Sequence, residues 1–177
     1  MVRIYKYAKT YKVELCVSSK LYDLVSKSAK LTLWEMGYKG LSDLSREIYF
    51  SFDILAKDNN EAERIVSEMV KKTSLFVNPN KDTYRVTSHK PQVTSRGQEV
   101  NVLVWYREDK RDGIIKNQLK REGWNRVLNV SQGELWHFFI EGERKKELVK
   151  EMVELKSTSS GLLTNPHSQR YKIFVGV

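Results

Sequence analysis

The chain has 177 residues and a formal net charge of +9, from 31 Lys and Arg against 22 Asp and Glu. Its composition, 40% hydrophobic and 30% charged, indicates one globular domain or two small ones rather than a disordered chain. No stretch approaches the roughly 20 apolar residues of a membrane-spanning helix, and the first residues lack the apolar core of a signal peptide. One cysteine, Cys16, cannot form an intramolecular disulfide. We therefore expect a cytoplasmic protein.

The first half of the chain predicts two helices and four strands in the order βαββαβ, the split arrangement of ferredoxin-like folds. Alternating apolar residues predict a strand over 11–17, and further strands are predicted at 41–46, 48–55 and 83–87. A helix follows the first strand and ends at Gly37 in a left-handed cap, and a second helix begins near Asp58. For residues 3–7, an edge strand and a frayed end both remain open. The predicted buried stripes are Leu21, Val25, Ala29, Leu33 and Met36 in the first helix, and Ala62, Ile65, Val66 and Met69 in the second.

The second half repeats this order. Strands are predicted at 100–106, 127–131, 135–140 and 170–175, with helices at 112–123 and 144–156. The polar stretch between the halves carries Pro91 and Gly97, which is typical of a linker. We therefore divide the chain into a first repeat at 1–87, a linker at 88–99 and a second repeat at 100–177.

Three landmarks recur between the halves at a nearly constant spacing. A Gly-aromatic pair and an apolar strand recur 86 positions later, and an Asn-Pro turn followed by a tyrosine recurs 87 positions later. Convergent patterning matches periodicity but rarely matches turn residues, so we favour an internal duplication. The recurring residues are Gly37-Tyr38 and Gly123-Trp124; Phe50, Phe52, Ile54 and Trp136, Phe138, Ile140; Asn78-Pro79, Tyr84 and Asn165-Pro166, Tyr171.

Both faces of the predicted strands are apolar in the second half. A βαββαβ unit places its helices on one face of the sheet, so the residues on the other face need a different cover. Those residues are Leu103, Trp105, Leu135 and Phe139. We expect them to form an interface with the other repeat, with another chain, or with both.

The residues that could carry out chemistry are few. His89, His137 and His167 are scattered, and one cysteine excludes the paired-thiolate zinc patterns. Phosphate-binding loops, nucleophile elbows and dinucleotide fingerprints are missing from the sequence. We interpret Cys16 as a strand thiol and His137, within an aromatic strand, as a structural or surface residue. The sequence therefore predicts no catalytic residue, no metal and no cofactor.

The order "helix, Gly-aromatic, strand pair, helix, Asn-Pro, Tyr-x-hydrophobic", present twice, resembles PurS, the small subunit of phosphoribosylformylglycinamidine synthase. The resemblance implies two PurS-like repeats forming an intramolecular pseudo-dimer. It also implies a non-catalytic role in purine biosynthesis, in which the chain holds a glutaminase subunit and an ATP-dependent synthetase subunit together for ammonia transfer. Pairing of two chains into a four-repeat assembly is a further implication. The family's Arg and Gly-Lys positions correspond here to residues 45–48 and 131–134, of which Gly133 matches and Glu134 reverses the charge.

Two alternatives remain open. A sequence pI of about 9.5 and tandem α+β units with aromatic strands are also typical of RNA-binding modules. The excess charge is spread along the chain, however, at +4, +1 and +4 for the first repeat, the linker and the second repeat. A small-molecule-sensing regulatory domain of similar topology is the other alternative, and no ligand residue can be named for it.

Overall fold

The structure is a computed structural model that describes residues 8–88, 99–157 and 160–175. The expected edge strand at 3–7 and nearly all of the linker, residues 89–98, lie outside the described residues. The strands are β1 Lys9–Ser19, β2 Leu41–Ala56, β3 Asp82–Thr87, β4 Glu99–Tyr106, β5 Val127–Ile140, β6 Lys156–Ser157, β7 Ser160–Gly161 and β8 Gln169–Val175. The helices are α1 Leu24–Glu35, α2 Asn59–Lys72, α3 Lys110–Arg121 and α4 Lys145–Glu154.

The predicted α+β class is confirmed. Six strands form one antiparallel sheet in the order β3-β1-β2-β5-β4-β8, and β6 and β7 pair as a separate two-stranded antiparallel sheet. On β4 the register pairs Leu103 with Leu135 of β5 and with Lys172 of β8. Four helices accompany the sheet in the described part of the chain.

The prediction of a strand pair between the helices is wrong in both halves. Residues 41–46 and 48–55 belong to the single strand β2, and 127–131 and 135–140 belong to the single strand β5. The reason in β2 is that Arg46, Glu47 and Ile48 include no turn former, so the ladder continues. In β5 Gly133 is not at a turn: a Cβ there would lie 2.6 Å from the carbonyl oxygen of Val104, so the glycine permits close strand contact.

The described chain forms two compact units, and each unit takes elements from both halves of the sequence. Unit 1 contains β1 as far as Val17, β2 from Tyr49 onward, α2, β3, α3 and β5 as far as Gln132. Unit 2 contains the end of β1 from Ser18 onward, α1, β2 as far as Ile48, β4, β5 from Gly133 onward, α4 and β8. Each unit has its own apolar core, to which the helices and the strands of that unit contribute.

The two units bury their helices in different ways. In α2 the predicted stripe is confirmed, since Ala62, Ile65, Val66 and Met69 are all buried, and Asp58 caps the helix by accepting from the Glu61 N–H at 2.8 Å. In α1 the predicted stripe is wrong at Leu21, Val25 and Met36, which are exposed, although Ala29 and Leu33 are buried. The helix turns Ser26, Ala29 and Leu33 towards the core, and the small residues among them permit close packing on the sheet.

The turns after α1 and α3 are hydrogen-bonded identically at positions 86 residues apart. Gly37 and Gly123 adopt φ of 102° and 90°, the left-handed region predicted for a cap. The N–H of the following aromatic residue donates to the carbonyl of Leu33 in one turn and of Leu119 in the other, at 3.1 and 2.9 Å. Each glycine also donates three residues back, at 3.1 Å in both turns.

The two Asn-Pro turns also match. The amides of Asp82 and Gln169 donate to the carbonyls of Asn78 and Asn165, at 2.8 and 2.7 Å. The side chains of Asp82 and Gln169 in turn accept from the N–H groups of those same asparagines, at 2.8 and 2.7 Å. The two turns therefore share one arrangement, 87 positions apart.

Candidate functional site

A row of polar side chains crosses four neighbouring strands of unit 2. The hydroxyl of Ser18, at the end of β1, donates to Glu47 Oε1 of β2 at 2.5 Å. The other oxygen of Glu47 lies 3.0 Å from Nε2 of His137 on β5, and Nδ1 of His137 lies 2.9 Å from Glu99 Oε1 on β4. The order of the row, β1-β2-β5-β4, follows the order of the sheet.

These side chains are almost fully removed from water. The side chains of His137, Glu47 and Glu99 are 14%, 9% and 9% exposed. Burial acts to lower the pKa of His137, but the hydrogen bonds and charges of Glu47 and Glu99 outweigh burial, and the pKa is raised above 6.5. A neutral imidazole has one N–H, whereas the imidazolium donates from both nitrogens and satisfies both carboxylates. The geometry therefore favours the charged ring.

The row is suited to holding strands together rather than to proton transfer. Both nitrogens of His137 are engaged, and the raised pKa lowers the fraction of the ring that is unprotonated and able to accept a proton. Ser18 donates to a carboxylate and not to the imidazole, so the geometry differs from that of a nucleophile activated by histidine. The arrangement links residues from both halves of the chain through a buried, charge-assisted network.

A second charged cluster lies in the same unit, around Arg46. Its guanidinium contacts both carboxylate oxygens of Asp23, at 3.3 and 3.4 Å, and Glu134 Oε1 at 2.8 Å. Asp23 also caps α1 by accepting from the Val25 N–H at 3.1 Å. The guanidinium lies 5.7 Å from the ring centroid of Trp136. This cluster ties the start of α1 to β2 and β5.

Both clusters line one cavity of about 610 Å³ in unit 2. Its wall also includes Lys20 and Lys27, so both positive and negative groups line the cavity. The volume is within the range of small-molecule sites. Mixed charge of this kind does not select one class of ligand.

The residues predicted as an interface lie on one face of the sheet. Leu103 and Leu135 are register partners, and Trp105 is opposite Gly133. Leu135 is buried, whereas Leu103, Trp105 and Phe139 are half-buried. His137 is two residues from Leu135 and two from Phe139 on β5, so the three side chains lie on the same face of the sheet. The polar row therefore shares this face with the predicted interface residues.

The family-motif residues build turns and do not join the polar row. Gly37, Gly123 and the Asn-Pro pairs form the matched turns, with Tyr38 and Trp124 packed at the edges of the two cores. Tyr84 is exposed, and the hydroxyl of Tyr171 is hydrogen-bonded to Glu154. Pro166 and Tyr171 line a second cavity, of about 680 Å³, in unit 2. Cys16 is buried, as expected for a strand thiol.

Sequence reasoning did not identify Glu47 and Glu99 as site residues. One signal was available for Glu47, since the segments that depart from the family pattern, 45–48 and 131–134, contain Glu47, Arg46 and Glu134. The structure places Arg46 against Glu134, so the two departures contact each other. No comparable signal marks Glu99.

No group of three or more His, Cys, Asp and Glu side chains suited to a metal ion occurs among the described residues. Within the same residues, none of the helices has the length and apolar character needed to cross a bilayer. No protein-family model and no curated protein matches the chain.

Proposed function

We propose that the chain is a fused, two-copy relative of PurS, in which the two repeats form an intramolecular pseudo-dimer. In this role it is a non-catalytic subunit that holds a glutaminase and an ATP-dependent synthetase together for ammonia transfer. The observation that carries the proposal is the identical hydrogen bonding of the two Gly turns and the two Asn-Pro turns. Two unrelated halves would not be expected to share both.

The composition of the two units supports the same proposal. Each element of unit 1 has its equivalent, 86 or 87 positions away in the other half of the chain, in unit 2. The elements that the first half gives to unit 1 are therefore very nearly the ones that the second half gives to unit 2, and the reverse. The backbone contacts near the ends of β2 and β5 are related by the same shift of 86 positions. In unit 1 the Leu55 N–H donates to the carbonyl of Arg126, and in unit 2 the equivalent Glu141 N–H donates to the carbonyl of Gly40. Reciprocal contacts of this kind are typical of a symmetric dimer.

The polar row has a clear role in such a fused subunit. Glu47 belongs to the first half of the chain, and Glu99 and His137 belong to the second. A slip of one residue between β2 and β5 would leave buried charges without partners, which is costly. Glu47, His137 and Glu99 therefore act as a register lock between the halves, and the lock keeps the partner-binding surfaces in a fixed geometry.

Reconstitution tests this proposal. The glutaminase and synthetase subunits from the same organism are purified and mixed with or without the full chain. With the chain present, we expect the three proteins to co-elute and glutamine-dependent amidine formation to increase at least tenfold. The matched control is ammonia-dependent formation, which needs no ammonia transfer between subunits and should change little.

Two results would count against the proposal. The first is unchanged glutamine-dependent activity with no co-elution at any tested concentration. The second is retention on a nucleic-acid column that falls steeply with salt, since phosphate contacts release counterions, and this result favours the RNA-binding alternative.

A further inference from the structure

The outer surface of α1 and the two residues that lead into it expose a group of large apolar side chains. Leu21, Tyr22, Leu24, Val25 and Leu31 are between 49% and 69% exposed. Leu24 and Leu31 are seven residues apart on α1 and therefore lie on one face of the helix, with Val25 next to Leu24, whereas Leu21 and Tyr22 precede the cap residue Asp23. Apolar residues scattered singly are ordinary on a protein surface, whereas a contiguous group marks an interaction site. We call these five residues the α1 surface.

The equivalent helix of the other half provides an internal control. The positions 86 residues after the α1 surface are also exposed, but they hold charged or polar side chains: Arg107, Glu108, Lys110, Arg111 and Asn117. Asp23 caps α1 and Asp109 caps α3 through the same type of bond, at 3.1 and 2.9 Å. The same helix in the same scaffold thus forms with a polar exterior. The apolar exterior of α1 is therefore not required by the fold.

Lysines held in place surround the α1 surface. The ammonium groups of Lys27 and Lys30 lie 3.2 and 3.3 Å from Asp43 Oδ1. Lys30 also donates to the carbonyl of Ser42 at 2.5 Å and lies 5.1 Å from the ring centroid of Trp34. Lys39 lies 5.8 Å from the same ring. Residues 20–43 contain four lysines and three acidic residues. Because Lys27 and Lys30 share the single carboxylate of Asp43, these three groups together keep a net positive charge.

We propose that the α1 surface docks a partner protein whose apolar cleft is edged by carboxylates. Two copies of this surface would bring lysine rims together, which disfavours self-association through it. A lipid headgroup layer is best met by mobile lysines, whereas Lys27 and Lys30 are fixed by Asp43 and Ser42. Fixed cations match carboxylates at fixed positions on a folded partner. The inference goes beyond the proposed function, because it assigns a surface and holds whichever complex the partner belongs to.

Site-specific photo-crosslinking in cells tests the location. A photoreactive phenylalanine analogue replaces Leu24 in one full-length chain and Lys110, its equivalent on α3, in the matched control. We expect adducts at position 24 and none at 110, and we expect the crosslinked peptide to be apolar with acidic neighbours. An absence of adducts at 24, equal yields at both positions, or adducts between two copies of this chain would overturn the proposal.

A binding measurement with the crosslinked partner tests the chemistry. We expect the double variant Leu24→Lys, Leu31→Asn, which copies the α3 residues, to bind at least tenfold more weakly, with an unchanged urea midpoint. The control Ile114→Lys alters the one large apolar side chain exposed on α3 and should stay within twofold of wild type. Unchanged affinity in the double variant contradicts the proposal, as does wild-type binding to anionic phosphatidylserine vesicles that the double variant loses. A partner other than the glutaminase or the synthetase would support this inference while contradicting the proposed function.

Discussion

The two units have similar backbone turns but different side chains in the sheet. The glycine turns, the Asn-Pro turns and the caps of α1 and α3 follow the same hydrogen-bond patterns, whereas Asp58 caps α2 with its side chain and the equivalent Arg144 of α4 does not. The polar row of unit 2 is not repeated at the equivalent positions either. The positions 86 residues from Glu47, His137 and Glu99 hold Gly133, Ser51 and Val13. Val13 belongs to the apolar core of unit 1. The backbone hydrogen bonds of these turns are thus the same in both halves of the chain, whereas each position of the polar row has an ionisable side chain in one half and a small or apolar residue at the equivalent position of the other half.

The exposed surfaces of α1 and α3 also differ, but here the apolar residues belong to unit 2 and the charged ones to unit 1. In unit 2 the sheet carries charge and α1 exposes apolar residues, whereas in unit 1 α3 exposes charge. Folding alone requires neither the charged row in the sheet nor the apolar surface of α1. Because the matched turns and strands lie 86 or 87 positions apart, substitutions at these positions can be compared in pairs within one molecule.

Removing the imidazole of the row is expected to give the largest loss of stability. His137→Leu removes the imidazole that Glu47 and Glu99 share, and although Ser18 still donates to Glu47, breaking a buried ion pair by removing one partner costs about 3–5 kcal/mol. The paired variant Ser51→Ala changes the equivalent position and should cost less than about 1 kcal/mol. Urea unfolding at pH 7 measures both. Equal losses in the two variants would show that the row contributes nothing specific.

Adding one methyl group at the centre of β5 is expected to give the next largest effect. In Gly133→Ala the new Cβ meets the Val104 carbonyl oxygen at 2.6 Å, so the strands must separate. Overpacking of this kind costs about 1–3 kcal/mol. In Gly37→Ala and Gly123→Ala nothing lies within 4 Å, and the cost is left-handed strain of about 1 kcal/mol each. Equal unfolding free energies for the last two variants would sharpen the equivalence of the turns, and unequal ones would weaken it.

The row should also make stability depend on pH. Because the folded pKa of His137 is raised, its contribution is complete below pH 6.5, the ordinary value, and is lost as the pH rises through the folded value. We expect the free energy of unfolding of the wild type to fall above pH 6.5. His137→Gln should remove this fall, since the amide has no charge to lose. NMR titration of the His137 ring gives the folded pKa directly, and a value below 6.5 would contradict the prediction.

The sequence predicted most of the elements and the local turns. The caps predicted at Gly37 and Asp58 were correct because caps depend on residues close together in the chain. The strand pair was wrong because alternation does not show whether a strand ends or continues, and Glu47 lies where the break was expected. The stripe of α1 was wrong because a helix that is apolar on two sides has no unique buried face by periodicity alone.

The site itself depends on contacts that sequence spacing does not encode. Glu47, Glu99 and His137 are separated by 38 to 90 positions and meet only because β5 lies between β2 and β4. For the same reason the sequence does not show that α1, from the first half, belongs to unit 2 and that α3, from the second half, belongs to unit 1. A duplicated sequence indicates two equivalent halves, but it does not indicate which half a helix packs against.

The smallest expected effect compares the two aspartate caps. Asp23→Ala and Asp109→Ala each remove a helix cap, a loss of about 1 kcal/mol. Asp23 also binds the guanidinium of Arg46, which is 21% exposed, whereas the buried carboxylate of Asp109 binds Arg111, which is 55% exposed. Water can therefore solvate Arg111 once its carboxylate is removed, but reaches Arg46 less well. Asp23→Ala should therefore lower the free energy of unfolding by about 1 kcal/mol more than Asp109→Ala, because it leaves Arg46 with Glu134 alone. Adding Arg46→Met should reduce the cost of losing Asp23 to that of losing Asp109, and a persistent difference would place the asymmetry in the caps themselves.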